Sequence, residues 1–116
     1  VELIEAGELD SVETRELLKK YLLPMVEAGI DQLVLGCTHY PFLIPMIREI
    51  VPEGIRIIDP APAVARQARK ILEQENGLNT GSDKPSYRFF TTGDPASLDR
   101  VLPRLTGQSY PVNQLV

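Results

Sequence analysis

The stretch Leu33-Val34-Leu35-Gly36-Cys37-Thr38-His39-Tyr40-Pro41 decides how the rest of the chain reads. Its first residues close a short apolar run, Ile30 to Leu35, flanked by Gly29 and Gly36. A run this short, bounded by glycines, has the pattern of a strand buried on both faces of a parallel sheet. The next segment reads as a helix over about Tyr40 to Val51, with Pro41 and Pro45 near the first turn, where a missing N–H costs nothing. The corner between the two holds the only cysteine and the only histidine of 116 residues.

Outward from this corner, helices and strands alternate. Upstream, Asp10-Ser11-Val12-Glu13 fits an N-cap with an acidic residue three places on, opening a helix to about Ala28. Leu17, Leu18, Tyr21, Leu22, Met25 and Val26 recur along it at helical spacing. Pro24 is expected to bend that helix, and Gly29 to stop it. Downstream, Ile55 to Ile58 is a second strand. Asp59 to Pro62, "DPAP", reads as stiff linker before a helix to about Glu75, ended by Asn76-Gly77. Asn79 to Pro85 is a polar loop, and Tyr87 to Thr91 a third strand. Asp94-Pro95 caps and opens a last helix to about Leu105. The tail "SYPVNQLV" reads as a short edge strand. Strands alternating with helices imply an α/β fold with a parallel sheet and flanking helices.

Composition narrows the class. The chain is 43% hydrophobic and 24% charged, ordinary values for a globular domain. A net charge of −4 without a Lys/Arg cluster argues against a nucleic-acid surface. No apolar run approaches the ~20 residues that cross a bilayer, so no membrane partner is expected. One cysteine makes no internal disulfide and, with one histidine, no metal-ligand cluster; a reducing cytoplasm is the expected location. The chain opens at Val1, and "VELIEAGELD" already reads as structured sequence, as expected of a piece of a longer protein.

Chemistry concentrates at the corner. Ligands of parallel α/β sheets bind at the carboxyl ends of the strands, where Cys37 falls. N–H groups at the start of the next helix favour a thiolate, or a substrate carboxylate. Gly36 admits a ligand close to the backbone, and Thr38 adds a hydroxyl that donates and accepts. His39 can take the thiol proton or protonate a neighbouring group. Alternation along an extended loop would put residues 37 and 39 on one side. Separately, a buried structural cysteine and a surface histidine are the ordinary explanations. Together at one corner, they point to a thiol acid/base or a thiol nucleophile. Elsewhere, "TTGDP" (Thr91 to Pro95) has the outline of an anion cradle, but a helix cap explains it better, since Asp94 repels an anion. Glu13, Arg15, Glu16, Lys19 and Lys20 form a solvated helix face.

"GCTHYPFL" resembles the signature of the glutamate racemases, within the aspartate/glutamate racemase superfamily. "VELIEAG", "IIDPAPAVA" and "RFFTTGDP" come in the order of that family's carboxyl-terminal half, so the likeness covers essentially the whole chain. The resemblance implies racemisation of glutamate, L to D for peptidoglycan, without a cofactor. Two cysteines flank the α-carbon: one thiolate removes the α-proton and the other thiol returns a proton on the far face. Cys37 matches the cysteine that deprotonates L-glutamate, and it also lies against the substrate. His39 matches the histidine that assists it, and Thr38 a substrate contact. Glu5 matches a supporting acid/base glutamate, with Glu2 as its alternative register. The family's first cysteine, in a Cys-Asn-Thr motif, has no counterpart: Asn79-Thr80 comes after a leucine.

The resemblance therefore implies half of a two-sided pair, inactive alone. Its partners are glutamate, the missing amino-terminal half and a possible second copy. It also implies a division near Asp59-Pro60, with residues 1–59 carrying the Gly-Cys-Thr-His loop in one α/β domain and 60–116 returning to another. Neither part owns a complete sheet, so exposed edges and apolar helix faces are expected. The residues also admit two rival readings: a racemase or isomerase of aspartate or another small acid, and a noncatalytic carboxylate-binding α/β module.

Overall fold

A computed structural model describes residues 1–82 and 84–115. Asp83, inside the expected polar loop, and Val116, at the end of the expected tail strand, lie outside the described residues. The elements run in chain order as α1 (Glu2–Glu5), α2 (Val12–Glu27), β1 (Gln32–Val34), a 3-10 turn (Tyr40–Leu43), α3 (Ile44–Ile50), β2 (Arg56–Ile58), α4 (Ala61–Gln74), β3 (Phe89–Thr91), α5 (Pro95–Thr106) and β4 (Val112–Gln114). The α/β alternation read from the sequence is present. Among the described residues the strands form two parallel pairs, β1 with β2 and β3 with β4.

The chain divides into two compact units, Tyr21–Lys84 and a second made of Val1–Lys20 with Pro85–Val116. In the first, β1 and β2 pair with Leu33 opposite Ile57, and the ladder extends through Leu35 N–H to Ile58 O at 3.0 Å. The connection between the strands carries the 3-10 turn and α3. Leu43, Met46, Ile47 and Val51 recur at helical spacing and are buried, as are Leu22, Leu35 and Ile55 of the same unit. Arg48 Nη1 donates to Ile55 O at 3.0 Å, tying the end of α3 to the start of β2.

In the second unit, β3, α5 and β4 repeat the strand–helix–strand pattern, with α5 against both strands. Val101 and Leu102 of α5 are buried, as is Ile4 of α1, at 1% exposure. Asp94 caps α5, and Gly107 at φ +75° ends it. Tyr110 packs on Tyr87 and Phe89, with ring centroids 5.4 and 4.9 Å away.

Several local expectations change. The cap of α2 is Ser11, not Asp10: Ser11 Oγ accepts the Thr14 N–H at 3.2 Å and donates to Thr14 Oγ1 at 3.1 Å. Thr14 Oγ1 in turn donates to Glu8 O, so this buried hydroxyl is satisfied. Gly29, at φ +79°, stops α2 as expected, its N–H bonding Val26 O at 2.9 Å. Pro24 sits inside α2. The linker "DPAP" is partly helix, because Asp59 Oδ1 accepts the Ala61 N–H at 2.9 Å and Pro60 caps α4. The single-turn α1 has no counterpart in the sequence reading. It closes at Gly7, φ +80°, with Gly7 N–H to Ile4 O at 2.9 Å and Glu8 N–H to Leu3 O at 2.8 Å.

The strand at β1 is not buried on both faces: Val34 is 63% exposed while Leu35 is buried. Gln32 and Val34, which share a face of β1, are both exposed, so that face is uncovered among the described residues. The apolar stripe of α2 behaves alike, with Leu22 buried but Leu17, Tyr21 and Met25 exposed. Helix α4 buries none of its residues, and Val64, Ile71 and Leu72 stand in solvent. Exposed apolar faces are what an incomplete sheet is expected to leave.

Candidate active site

The corner after β1 is held at both ends by burial. Leu35, at the end of the strand, and Leu43, at the end of the 3-10 turn, are both buried. Between them the chain turns at Cys37–Tyr40, closed by Tyr40 N–H to Cys37 O at 3.2 Å, and Phe42 N–H then bonds His39 O at 3.3 Å. Pro41 fits because the first helical turn needs no N–H from it. An added Cβ at Gly36 would meet nothing within 4 Å, so the backbone there is open to close approach.

This turn brings two of the candidate residues together. Cys37 Sγ lies 3.6 Å from His39 Nδ1, within reach of a hydrogen bond involving sulfur. Both side chains are half-buried, and Thr38 between them is exposed. The extended-loop alternation expected from the sequence is not the cause. His39 is in the right-handed helical region, at φ −80° and ψ −31°, and the turn folds the imidazole back onto the sulfur. The expected helix start is a single 3-10 turn rather than an α-helix. Its first N–H, that of Tyr40, is engaged by Cys37 O. The side chain within hydrogen-bond reach of the thiol is the imidazole of His39.

The arrangement allows a hydrogen bond between the two groups in either direction. With the proton on Nε2, Nδ1 accepts from the thiol; with both nitrogens protonated, Nδ1 donates to the thiolate. Tyr40, which the sequence reading did not single out, closes the turn; the signal available was its place just before Pro41.

Glu5 and Glu2 are exposed on α1, in the unit made of Val1–Lys20 with Pro85–Val116. The fold thus unites Cys37, Thr38 and His39, and leaves Glu5 on the other unit. At "TTGDP" the cap holds. Asp94 Oδ1 accepts the Ala96 N–H at 3.1 Å, Asp94 Oδ2 accepts from Ser97 Oγ at 3.0 Å, and Thr91 Oγ1 accepts the Gly93 N–H at 3.1 Å. The helix donors are taken by the chain itself. The Ala96 N–H, and then the Ser97 hydroxyl, hold the Asp94 carboxyl below its usual pKa. Among the described residues no group of three His, Cys, Asp or Glu is placed to hold a metal ion, and no helix is long and apolar enough to cross a membrane.

Residues 1–68 match the Asp/Glu/Hydantoin racemase family. The chain is 45% identical over 109 residues to a glutamate racemase of Stutzerimonas stutzeri, covering 94% of this chain and 40% of that protein. The crystal structure of glutamate racemase isoform RacE1 from Bacillus anthracis matches with a TM-score of 0.84 at 32% identity, over 98% of this chain and 42% of that one. A glutamate racemase from Francisella tularensis, solved in complex with D-glutamate, matches with a TM-score of 0.82 at 28% identity, over 99% of this chain and 43% of that one. The chain thus spans about two fifths of the length of the relatives it matches.

Proposed function

The chain belongs to the Asp/Glu/Hydantoin racemase family, and from that premise we propose that it supplies one face of a two-sided proton exchange in a glutamate racemase. The observation that carries this reading is the 3.6 Å approach of Cys37 Sγ to His39 Nδ1 at the carboxyl end of β1. The choice of glutamate is supported by the relatives, which are glutamate racemases at 43 to 47% identity, and by the Francisella structure with D-glutamate.

In the proposed reaction, Cys37 as thiolate takes the α-proton of L-glutamate, and a thiol on the opposite face gives one to form D-glutamate. His39 accepts the Cys37 proton before this step, or relays it away afterwards. Thr38 contacts the substrate. Glu5 has a supporting acid/base role. An α-proton beside a carboxylate is a very weak acid, so without an electron sink the barrier must fall through oriented dipoles and exclusion of water. No metal or organic cofactor takes part in this scheme.

The second thiol belongs to an amino-terminal half, which the 116-residue chain needs for turnover; pairing with a second copy is the other proposed association. The proposed division of the complete enzyme falls near Asp59-Pro60, with residues 1–59 in one α/β domain and 60–116 in the other, while in this chain Val1–Lys20 groups with Pro85–Val116. The role is supply of D-glutamate for peptidoglycan in the cytoplasm.

The test compares the isolated chain with the full-length protein, by monitoring the optical activity of L- and D-glutamate. Racemisation by the full-length protein alone is expected. Turnover by the isolated chain overturns the one-face reading. A full-length protein that racemises aspartate but not glutamate overturns the choice of substrate. One that exchanges neither α-proton leaves only a carboxylate-binding module.

A further inference from the structure

Helix α1 has four residues, too few to hold its own shape. Three features fix it. Ile4 is buried, Gly7 takes the left-handed turn at φ +80°, and Arg104, from the last turn of α5, reaches back to the loop after α1. Arg104 Nη1 donates to Gly7 O, and Arg104 Nη2 donates to Asp10 Oδ1 at 3.0 Å. The guanidinium thus spans both ends of the loop joining α1 to α2, across 97 and 94 residues of sequence.

Gly7 is favoured by its φ of +80°, while an added side chain would meet Arg104 and Val101 only at ordinary van der Waals distances. A Cβ there would lie 3.5 Å from Arg104 Nη1 and 3.8 Å from Arg104 Cδ, with Val101 Cγ2 at 4.0 Å. The ion pair itself is open to water, with side-chain exposures of 48% and 83%, and pairs of that kind add little to stability. What the fork does supply is geometry. Two N–H groups fixed in one plane define where a carbonyl and a carboxylate must stand, which a single ammonium cannot do.

We propose that Arg104 is a positioning residue, setting through Gly7 and Asp10 the place of the short helix that carries Glu5. The inference rests on the supporting acid/base role proposed for Glu5. It adds a residue from the far end of the chain, outside every motif that resembles the family.

The test uses the full-length enzyme with Arg104→Ala, Arg104→Lys, Asp10→Asn, Glu5→Gln and the Arg104→Ala/Glu5→Gln double variant. Misplacing a catalytic group by about 1 Å costs on the order of 100-fold in rate. Arg104→Ala is therefore expected to lower kcat by about 10- to 100-fold with KM little changed. Arg104→Lys, keeping one donor, and Asp10→Asn, keeping an oxygen acceptor, recover part of the rate. In the double variant the two losses do not add, because both act through one group. Hydrogen exchange at Glu5 to Glu8 is expected to quicken in Arg104→Ala, while the Leu102 amide in α5 keeps its protection. An unchanged kcat in Glu5→Gln removes the Glu5 role and overturns the proposal through its premise. A slow Glu5→Gln enzyme with fully additive losses, or unmoved exchange at Glu5 to Glu8, overturns it directly.

Discussion

Cys37 Sγ and His39 Nδ1 stand 3.6 Å apart across a turn closed by the Tyr40 N–H on the Cys37 carbonyl. An extended backbone would also put the two side chains on one face, but it is not what brings them together here. The helical φ and ψ of His39 bring them into hydrogen-bond range.

His39→Asn in the full-length enzyme is expected to cut the racemisation rate by about 10²-fold, the lower range for loss of a positioned acid/base group. Cys37→Ser should fall further, since an alcohol is a far weaker acid than a thiol. Initial rates from both enantiomers, measured by circular dichroism, check this. A His39→Asn enzyme of undiminished rate in both directions would remove the imidazole from the mechanism.

The crossover between β1 and β2 is packed through two buried side chains of α3, Met46 and Ile47. Ile47 is 2% exposed, so Ile47→Ala should cost about 2–5 kcal/mol through lost burial and the cavity left behind. Urea unfolding of the isolated chain measures it. A loss under about 1 kcal/mol would mean that the surroundings of α3 collapse to fill the space.

Two glycines with open space around them separate backbone strain from crowding. Neither Gly29 nor Gly54 has an atom within 4 Å of an added Cβ, but only Gly29 has a positive φ, at +79°. Gly29→Ala should destabilise by about 1–2 kcal/mol, the cost of a left-handed alanine. Gly54→Ala should be neutral, or stabilise by up to about 1 kcal/mol through the unfolded chain. Paired denaturation curves decide; equal effects would show that α2 does not need its left-handed stop.

The Asp94 cap predicts an acid limit. Its folded pKa is depressed by the Ala96 N–H and the Ser97 hydroxyl. The carboxylate's stabilisation is therefore complete above the unfolded aspartate value of ~3.9 and is lost as pH falls through the lower folded one. Thermal midpoints of the chain and of Asp94→Ala should differ at about pH 6 and converge in strong acid. A gap that persists unchanged near pH ~2 would assign the effect to packing.

Helix α4 presents Val64 at 65% exposure, with Ile71 and Leu72 also exposed. Val64→Glu with Ile71→Lys should leave stability within about 0.5 kcal/mol, as surface changes usually do, and should suppress concentration-dependent association. Sedimentation velocity measures the mass. Association undiminished in the double variant would place the sticky surface elsewhere, the exposed strand edges being next.

How far the sequence could be read depends on which signals are local. The passage from β1 to α3 is legible because Gly29, Gly36 and Pro41 punctuate it, and the end of α4 and the start of α5 because Asn76 and Asp94 are capping types in capping places. Burial is another matter. The periodicity of Leu17, Tyr21 and Met25 identifies an apolar side of α2 but says nothing about whether anything covers it, and here these residues are exposed. Ile30 to Leu35 has the composition of a central strand, yet among the described residues β1 has one partner and Val34 stays exposed. Helix α1 is too short for any periodicity to register. The Arg104 fork joins residues 94 and 97 positions apart, a relation that no spacing rule reaches.

A sulfur and an imidazole brought together by four consecutive residues form a portable module. Since Leu35 and Leu43 anchor it on either side, the spacing of sulfur and ring nitrogen is set by local backbone geometry and not by groups distant in sequence.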